Sequence, residues 1–230
     1  AAQPFDAPHF TRLVQGLNPS AKVLRTTLDR RVQAIAEKAL REAVDALRAR
    51  GVSNGAVVVI ENHTAAVRAL VGSCDFFSED DDGQINGALA PRSPGSALKP
   101  FTYALAVEDG LITPATILAD VPVGISGYEP ANYDRTYRGP VRAADALADS
   151  LNVPAVALLR RVGQPRPYHM LRRLGLTTLS RPAEHYGLSL VLGSAEVSLL
   201  ELTNAYAALA RLGVYVPVRF LEDEPAPDGR

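Results

Sequence analysis

Arg92-Ser-Pro-Gly-Ser96-Ala-Leu-Lys99-Pro-Phe101 is the stretch on which the reading of this chain turns. A serine followed three residues later by a lysine sets both side chains on one face of a helix, one turn apart. At a helix start the serine hydroxyl lies where backbone N–H groups converge and the helix dipole is positive. That positive end, together with burial, disfavours an ammonium on Lys99. A lysine made neutral in this way takes the proton of Ser96, which is the activated-nucleophile arrangement for acyl transfer. Gly95, just before the serine, removes side-chain bulk where a substrate backbone would approach. Only Lys22, Lys38 and Lys99 among the 24 basic residues are lysines. An arginine stays charged in a protein, whereas a lysine can release its proton, so each lysine here is informative. The spacing alone serves a capping serine with an exposed lysine equally well.

Working outward, Ser150-Leu151-Asn152 lies between two short helical patterns. A serine there can relay a proton, and an asparagine can hold a peptide amide through its two-ended side chain. A helix-capping Ser–Asn turn fits the same tripeptide. His9, His63, His169 and His185 show no metal-ligand spacing. Cys74 reads as a buried structural thiol. Ser194 lacks the second glycine of a nucleophile elbow, and Ser93 has no lysine at the right spacing. Tyr128, Tyr133 and Tyr137 read as loop packing, with the rim of a groove as the other use.

The composition bounds the function classes. The chain has 230 residues, 47% hydrophobic and 21% charged, with a formal net charge of −1. It is long enough for a sizeable core in one domain or two small ones. Near-neutral charge gives no basic field for nucleic acid or an anionic membrane. One cysteine excludes an internal disulfide framework and any cysteine-rich metal site. No apolar run approaches the ~18 residues of a membrane span, and residues 1–20 lack a signal-peptide pattern.

Residues 1–21, with Pro4, Pro8, Gly16 and Pro19, read as a linker or docking segment. Lys22–Thr26 carries a strand pattern. Thr26 or Thr27 is the expected cap, with Asp29 in the first turn, of a helix whose Val32, Ile35, Ala36, Ala39, Leu40, Ala43 and Leu47 recur at helical spacing up to Gly51. Ala56–Glu61 and Ala65–Val71 predict a hairpin. Ser78–Pro91 reads as a loop whose acidic run, Glu79–Asp82, is solvated. Helices are expected over Lys99–Asp109, Val141–Asp149, Val153–Val162 and Tyr168–Leu174, with Thr113–Pro140 as a loop. Ser198-Leu-Leu-Glu201 is a capping box opening a helix that runs to Leu212. The tail from Glu222 to Arg230 reads as mobile.

The order and surroundings of the two serine motifs carry a resemblance. Arg92–Phe101 is similar to the active-site segment of class A penicillin-binding proteins. Ser150-Leu-Asn152-Val-Pro-Ala-Val156, preceded by Tyr137-Arg-Gly-Pro-Val141, resembles the family's second motif. Thr26-Thr-Leu-Asp29 resembles the start of its transpeptidase domain, and Leu188–Gly213 the stretch after the second motif. Arg-Ser-Pro-Gly-Ser and Tyr128-Glu-Pro-Ala-Asn-Tyr133-Asp resemble the 1C type in particular. The resemblance runs from about Lys22 to Phe220, so residues 22–230 are expected to be a partial transpeptidase domain.

The resemblance implies an α+β fold of the penicillin-binding protein/serine β-lactamase kind, with an antiparallel sheet flanked by helices and a helical lobe, here C-terminally incomplete. It implies that Ser96 attacks the bond between two terminal D-alanines, with Lys99 as general base. Ser150 would pass a proton toward the leaving amine. Asn152 and Gly95 would bind the donor stem peptide, and Asn152 would help hold Lys99. A neighbouring stem's amine would resolve the acyl-enzyme into a crosslink, and β-lactams would acylate Ser96. No metal or organic cofactor is implied, and no nucleic acid. The implied place is the periplasmic face of the bacterial inner membrane, reached through an N-terminal anchor and a glycosyltransferase domain expected before Ala1.

The sequence departs from the family in one respect. No lysine follows Lys99, so the third motif, Lys-[Thr/Ser]-Gly, does not occur in this chain. In the family the strand carrying it completes the sheet and part of the oxyanion hole. The chain is therefore expected to be truncated, with Pro225–Arg230 as an exposed proteolysis site, and to be impaired as a catalyst on its own. Two other readings compete. One is a hydrolase with the same Ser/Lys geometry, a D,D-carboxypeptidase or β-lactamase. The other is a scaffold domain that kept the motifs without the chemistry.

Overall fold

The computed structural model describes residues 6–124 and 129–226. In chain order the elements are α1 (Pro8–Leu17), α2 (Arg30–Leu47), β1 (Val57–Ile60), β2 (Val67–Val71), α3 (Lys99–Glu108), β3 (Ile117–Asp120), β4 (Gly139–Arg142), α4 (Ala143–Ala148), α5 (Asn152–Val162), α6 (Pro165–Arg173), α7 (Ala183–Tyr186) and α8 (Leu199–Ala210). Short 3₁₀ turns cover Arg48–Arg50, Gly95–Leu98 and Gly187–Leu192. The chain divides into two compact units. One comprises the described residues up to Pro91, Leu174–Leu176 and those from Val197 on; the other comprises Arg92–Arg173 and Thr177–Glu196.

The first unit is built on the expected hairpin. β1 and β2 pair antiparallel, with Val57 opposite Val71, Val59 opposite Ala69 and Ile60 opposite Val67. Arg68 is the extra residue, a bulge that shifts the two-residue alternation. Val67 and Leu70 thereby share a face with Val58 and Ile60, against Phe10, Val14 and Leu200. Ala69, Val71, Val57 and Val59 form the opposite face, against Ala36, Leu40 and Val44 of α2. Helices thus cover both faces of a ribbon that would not be stable alone.

Several local expectations change here. The 1–21 stretch carries α1, whose Phe10 and Val14 are buried against the hairpin. Its Pro8 occupies a first-turn position, where a missing N–H costs nothing. Lys22–Thr26 forms no strand; Thr26 makes a single bridge to Leu221. The cap of α2 is Asp29, whose carboxylate accepts from Arg31 N at 2.8 Å and Val32 N at 3.1 Å. Thr27 is engaged elsewhere, donating to the Val67 carbonyl at 2.9 Å. The buried stripe of α2 is Gln33, Ala36, Leu40 and Val44, while Ile35 and Leu47 are exposed. Gln33 takes a core position because its amide mimics a strand: Oε1 accepts from Leu70 N and Nε2 donates to Leu70 O. Cys74 is half-buried rather than buried. α8 begins at its expected cap, with Ser198 Oγ accepting from Glu201 N at 3.2 Å.

The second unit is mainly helical. α5 presents Val153, Ala155, Val156, Leu158, Leu159 and Val162 as buried residues around most of its circumference, as a helix enclosed by its neighbours must. α3 packs on it, and α4, α6, β3 and the 187–192 turn also touch it. The expected Thr113–Pro140 loop instead contains β3, which pairs antiparallel with β4 from Ile117 opposite Arg142 to Asp120 opposite Gly139. Val141 and Arg142 therefore belong to a strand, and α4 starts at Ala143. Pro140 is tolerated because a two-stranded ribbon has only edges. Tyr133 is fully exposed rather than packed into its loop. Tyr128 and the last residues of the tail, 227–230, lie outside the described residues.

Candidate active site

All the site residues expected from sequence fall in the second unit. Lys99 is the first residue of α3, and its side chain is 1% exposed. Its ammonium reaches the junction between α4 and α5. Nζ donates to the Ser150 carbonyl at 2.5 Å, to Ser150 Oγ at 3.1 Å and to Asn152 Oδ1 at 2.7 Å. Three acceptors match the three protons of an ammonium. Burial nevertheless pulls the pKa of Lys99 from 10.5 down to about 8, because desolvation penalises the charged form. When Nζ loses a proton, its lone pair becomes an acceptor for the Ser150 hydroxyl, so the pair can pass a proton in either direction.

The backbone makes this junction specific. Ser150 sits at φ 54, a left-handed conformation that a non-glycine residue rarely adopts. It follows from a tight stop to α4, where Ser150 N bonds to Leu147 O and Leu151 N to Ala146 O. The turn directs both the carbonyl and the hydroxyl of one residue at Nζ. Asn152 opens α5, and its other side-chain end donates to Ala131 O at 2.8 Å, which fixes the amide with its oxygen on Lys99.

Ser96 sits in the 3₁₀ turn Gly95–Leu98, three residues ahead of α3, rather than at an α-helical cap. It is exposed, and its hydroxyl makes no hydrogen bond among the described residues. The structure therefore brings the side chains of Lys99, Ser150 and Asn152 into direct contact and holds Ser96 on the adjoining turn, where Lys99 N donates to the Ser96 carbonyl but the two side chains share no hydrogen bond. Gly95 has φ 54, and a Cβ there would meet nothing within 4 Å. The left-handed backbone there favours glycine, and no atom of the chain fills the space beside it.

Two features of the site had no signature in the sequence. Gly193, at φ 87, lies so close to the Ser96 turn that a Cβ on it would be 2.3 Å from Gly95 N and 2.5 Å from Gly95 Cα. Ser93, set aside as a nucleophile, donates to the Gly193 carbonyl at 2.7 Å and ties the two segments together. Behind Asn152 lies a buried polar pair, Asp120 and Asn132, in hydrogen-bond contact. Ser194, the other serine set aside, donates to Tyr186 O at 3.4 Å.

Residues 55–229 match the family described as the penicillin binding protein transpeptidase domain. The chain is 38% identical to penicillin-binding protein 1C of Escherichia coli (strain K12), across 95% of this chain and 28% of that protein. It is 31% identical to penicillin-binding protein 1A of Neisseria meningitidis serogroup A, across 90% of this chain and 28% of the relative. The chain thus spans about 28% of the length of these curated relatives. Among solved structures, the penicillin-binding protein PonA1 from Mycobacterium tuberculosis aligns with a TM-score of 0.73 at 26% identity, covering 94% of this chain and 58% of that one. The same protein in complex with penicillin V aligns at 0.72.

Proposed function

Because the chain belongs to the penicillin-binding protein transpeptidase family, we propose that it serves as a D,D-transpeptidase domain that crosslinks peptidoglycan through an acyl-serine intermediate. Ser96 Oγ attacks the carbonyl carbon of the penultimate D-alanine of a donor stem peptide. The Oγ–C bond forms, and the Ser96 proton passes to neutral Lys99. The C–N bond to the terminal D-alanine then breaks, and its amine receives a proton through Ser150. An amine from a neighbouring stem attacks the acyl-enzyme, forming the crosslink and returning a proton to Ser96. Asn152 holds Lys99 and binds the donor amide.

The observation that carries this reading is Lys99: a fully buried lysine, with a pKa lowered to about 8, bonded to both Ser150 and Asn152. A lysine in a scaffold domain has no need of a site that brings its pKa down toward the neutral range. The penicillin V complex of the solved relative supports β-lactams as mimics of the donor that acylate Ser96. With that substrate, the domain would work on the periplasmic face of the inner membrane. Among the described residues no helix is long and apolar enough to cross a membrane.

The hydrolase reading differs in what resolves the acyl-enzyme. Incubating the full native chain with a stem peptide ending in D-Ala-D-Ala and an amine acceptor tests this. The transpeptidase reading predicts D-alanine release with a crosslinked product, and a penicilloyl adduct that persists. Release of D-alanine without crosslink, and rapid turnover of the penicilloyl adduct, would replace it with the hydrolase.

A further inference from the structure

Asp120 is the last residue of β3 and is completely buried. A carboxylate in that position must have its lone pairs met. Asn132 Nδ2 donates to Asp120 Oδ1 at 2.8 Å and Oδ2 at 3.0 Å, and Arg138 N donates to Oδ2 at 2.9 Å. Nδ2 also lies 2.8 Å from the Thr136 carbonyl. These contacts fix which end of the Asn132 amide faces Asp120. The other end, Oδ1, accepts from Asn152 N at 2.8 Å and from Val153 N at 3.4 Å.

Leu151 stands at the cap position of α5 and has no polar side chain, so the helix start has no cap of its own. Unmet N–H groups at a helix start require a partner. Asn132 supplies it from 20 residues away. The residue it holds by the backbone is Asn152, whose side chain holds Lys99. The neighbouring Ala131 carbonyl holds the Asn152 side chain. Backbone and side chain of Asn152 are therefore both fixed by the 131–132 segment, and that segment is fixed by Asp120.

We propose that Asn132 is a positioning residue for acylation, oriented by the buried Asp120 carboxylate, and that it acts by setting Asn152 and Ser150 on Lys99. The inference rests on the acyl-serine reading above. Neither residue touches the reacting atoms. Their effect is geometric: a displacement of about 1 Å in a catalytic group costs on the order of 10²-fold in rate.

The test is acylation of the full native chain by a fluorescent penicillin, resolved into the limiting acylation rate and the concentration for half-saturation. Asn132→Ala and Asp120→Asn are each expected to lower the limiting rate about 10–100-fold in the molecules that label, with half-saturation little changed. Asn132→Asp removes the donor facing Asp120 and sets two carboxylates together, and the same loss is expected. The exchange Asp120→Asn/Asn132→Asp restores a donor at 120 facing an acceptor at 132, and keeps an oxygen on Asn152 N. Its carboxylate at 132 would also face the Thr136 carbonyl, which Asn132 Nδ2 now meets, so the exchange is expected to recover part of the loss, running at least about threefold faster than the faster of the two single variants. A purely structural role would reduce the fraction that labels and leave the rate constant of that fraction native, and this result would overturn the proposal. So would an exchange variant no faster than the two single variants. The two layers fail separately. If the native chain labels through Ser96 and Asn132→Ala labels as fast, only the positioning inference falls. If Ser96→Ala labels like the native chain, or the native chain does not label, the acyl-serine reading falls and takes this inference with it.

Discussion

Lys99 makes a quantitative demand on the pH dependence of acylation. With a pKa of about 8, the amine is about one-tenth neutral at pH 7 and about nine-tenths neutral at pH 9. If neutral Lys99 is the base, the acylation rate constant should rise about tenfold across that interval and level off above it. A lysine at its ordinary value of 10.5 would give about a hundredfold rise from pH 7 to 9, with no plateau. The two curves are readily separated with a fluorescent penicillin between pH 6 and 10. The same group predicts a stability change. Its folded value lies below its unfolded value, so the unfolded chain holds more protons between pH 8 and 10.5. Stability should therefore rise with pH through that window by up to about 3 kcal/mol, and Lys99 should cost the fold that amount below pH 8. Lys99→Met should lose the rise in a urea titration, and it should lose acylation. Lys99→Arg should also nearly abolish acylation, because an arginine stays charged. An acylation rate independent of pH from 7 to 9, or a Lys99→Arg chain that acylates normally, would refute the assignment of Lys99 as base.

Gly193→Ala should lower acylation by about 10², because its Cβ meets the Gly95 backbone beside Ser96. Gly163→Ala is the control: it has a similar positive φ but open space, so it should lose stability and keep the native rate constant. Ser150→Ala should reduce acylation by about 10²–10⁴ with little change in melting temperature, since Ser150 is an exposed residue. Asp29→Ala should lower the denaturant midpoint and leave acylation untouched, because it caps a helix in the other unit.

The parts of this chain that can be read from sequence are those encoded by neighbours. The hairpin is legible because two β-branched runs flank a short turn. The Ser198 cap is legible because its acceptor and the amide it meets are three residues apart. Ser96, Lys99, Ser150 and Asn152 are legible as motifs, although their contacts are not: the sequence pairs Lys99 with Ser96, and the structure bonds it to Ser150 and Asn152 instead. What sequence hides is set by distant partners. α1 hides behind Pro8 and Gly16 because its stability comes from Phe10 and Val14 against the hairpin. β3 and β4 are four residues each and exist because they pair with one another. Thr26 or Thr27 is expected as the cap and Asp29 in the first turn, but Val67 claims the Thr27 hydroxyl and Asp29 caps the helix. Asp120 and Asn132 are lone polar residues with no spacing rule between them. Gly193 looks like any loop glycine until Gly95 is placed against it.

The most direct test of the central claim is the intact mass of the full native chain with and without a penicillin. The acyl-serine account predicts a gain of one ligand mass, stable over the measurement, and none in Ser96→Ala. A native chain that gains no mass, or a Ser96→Ala chain that gains it equally, would contradict the account.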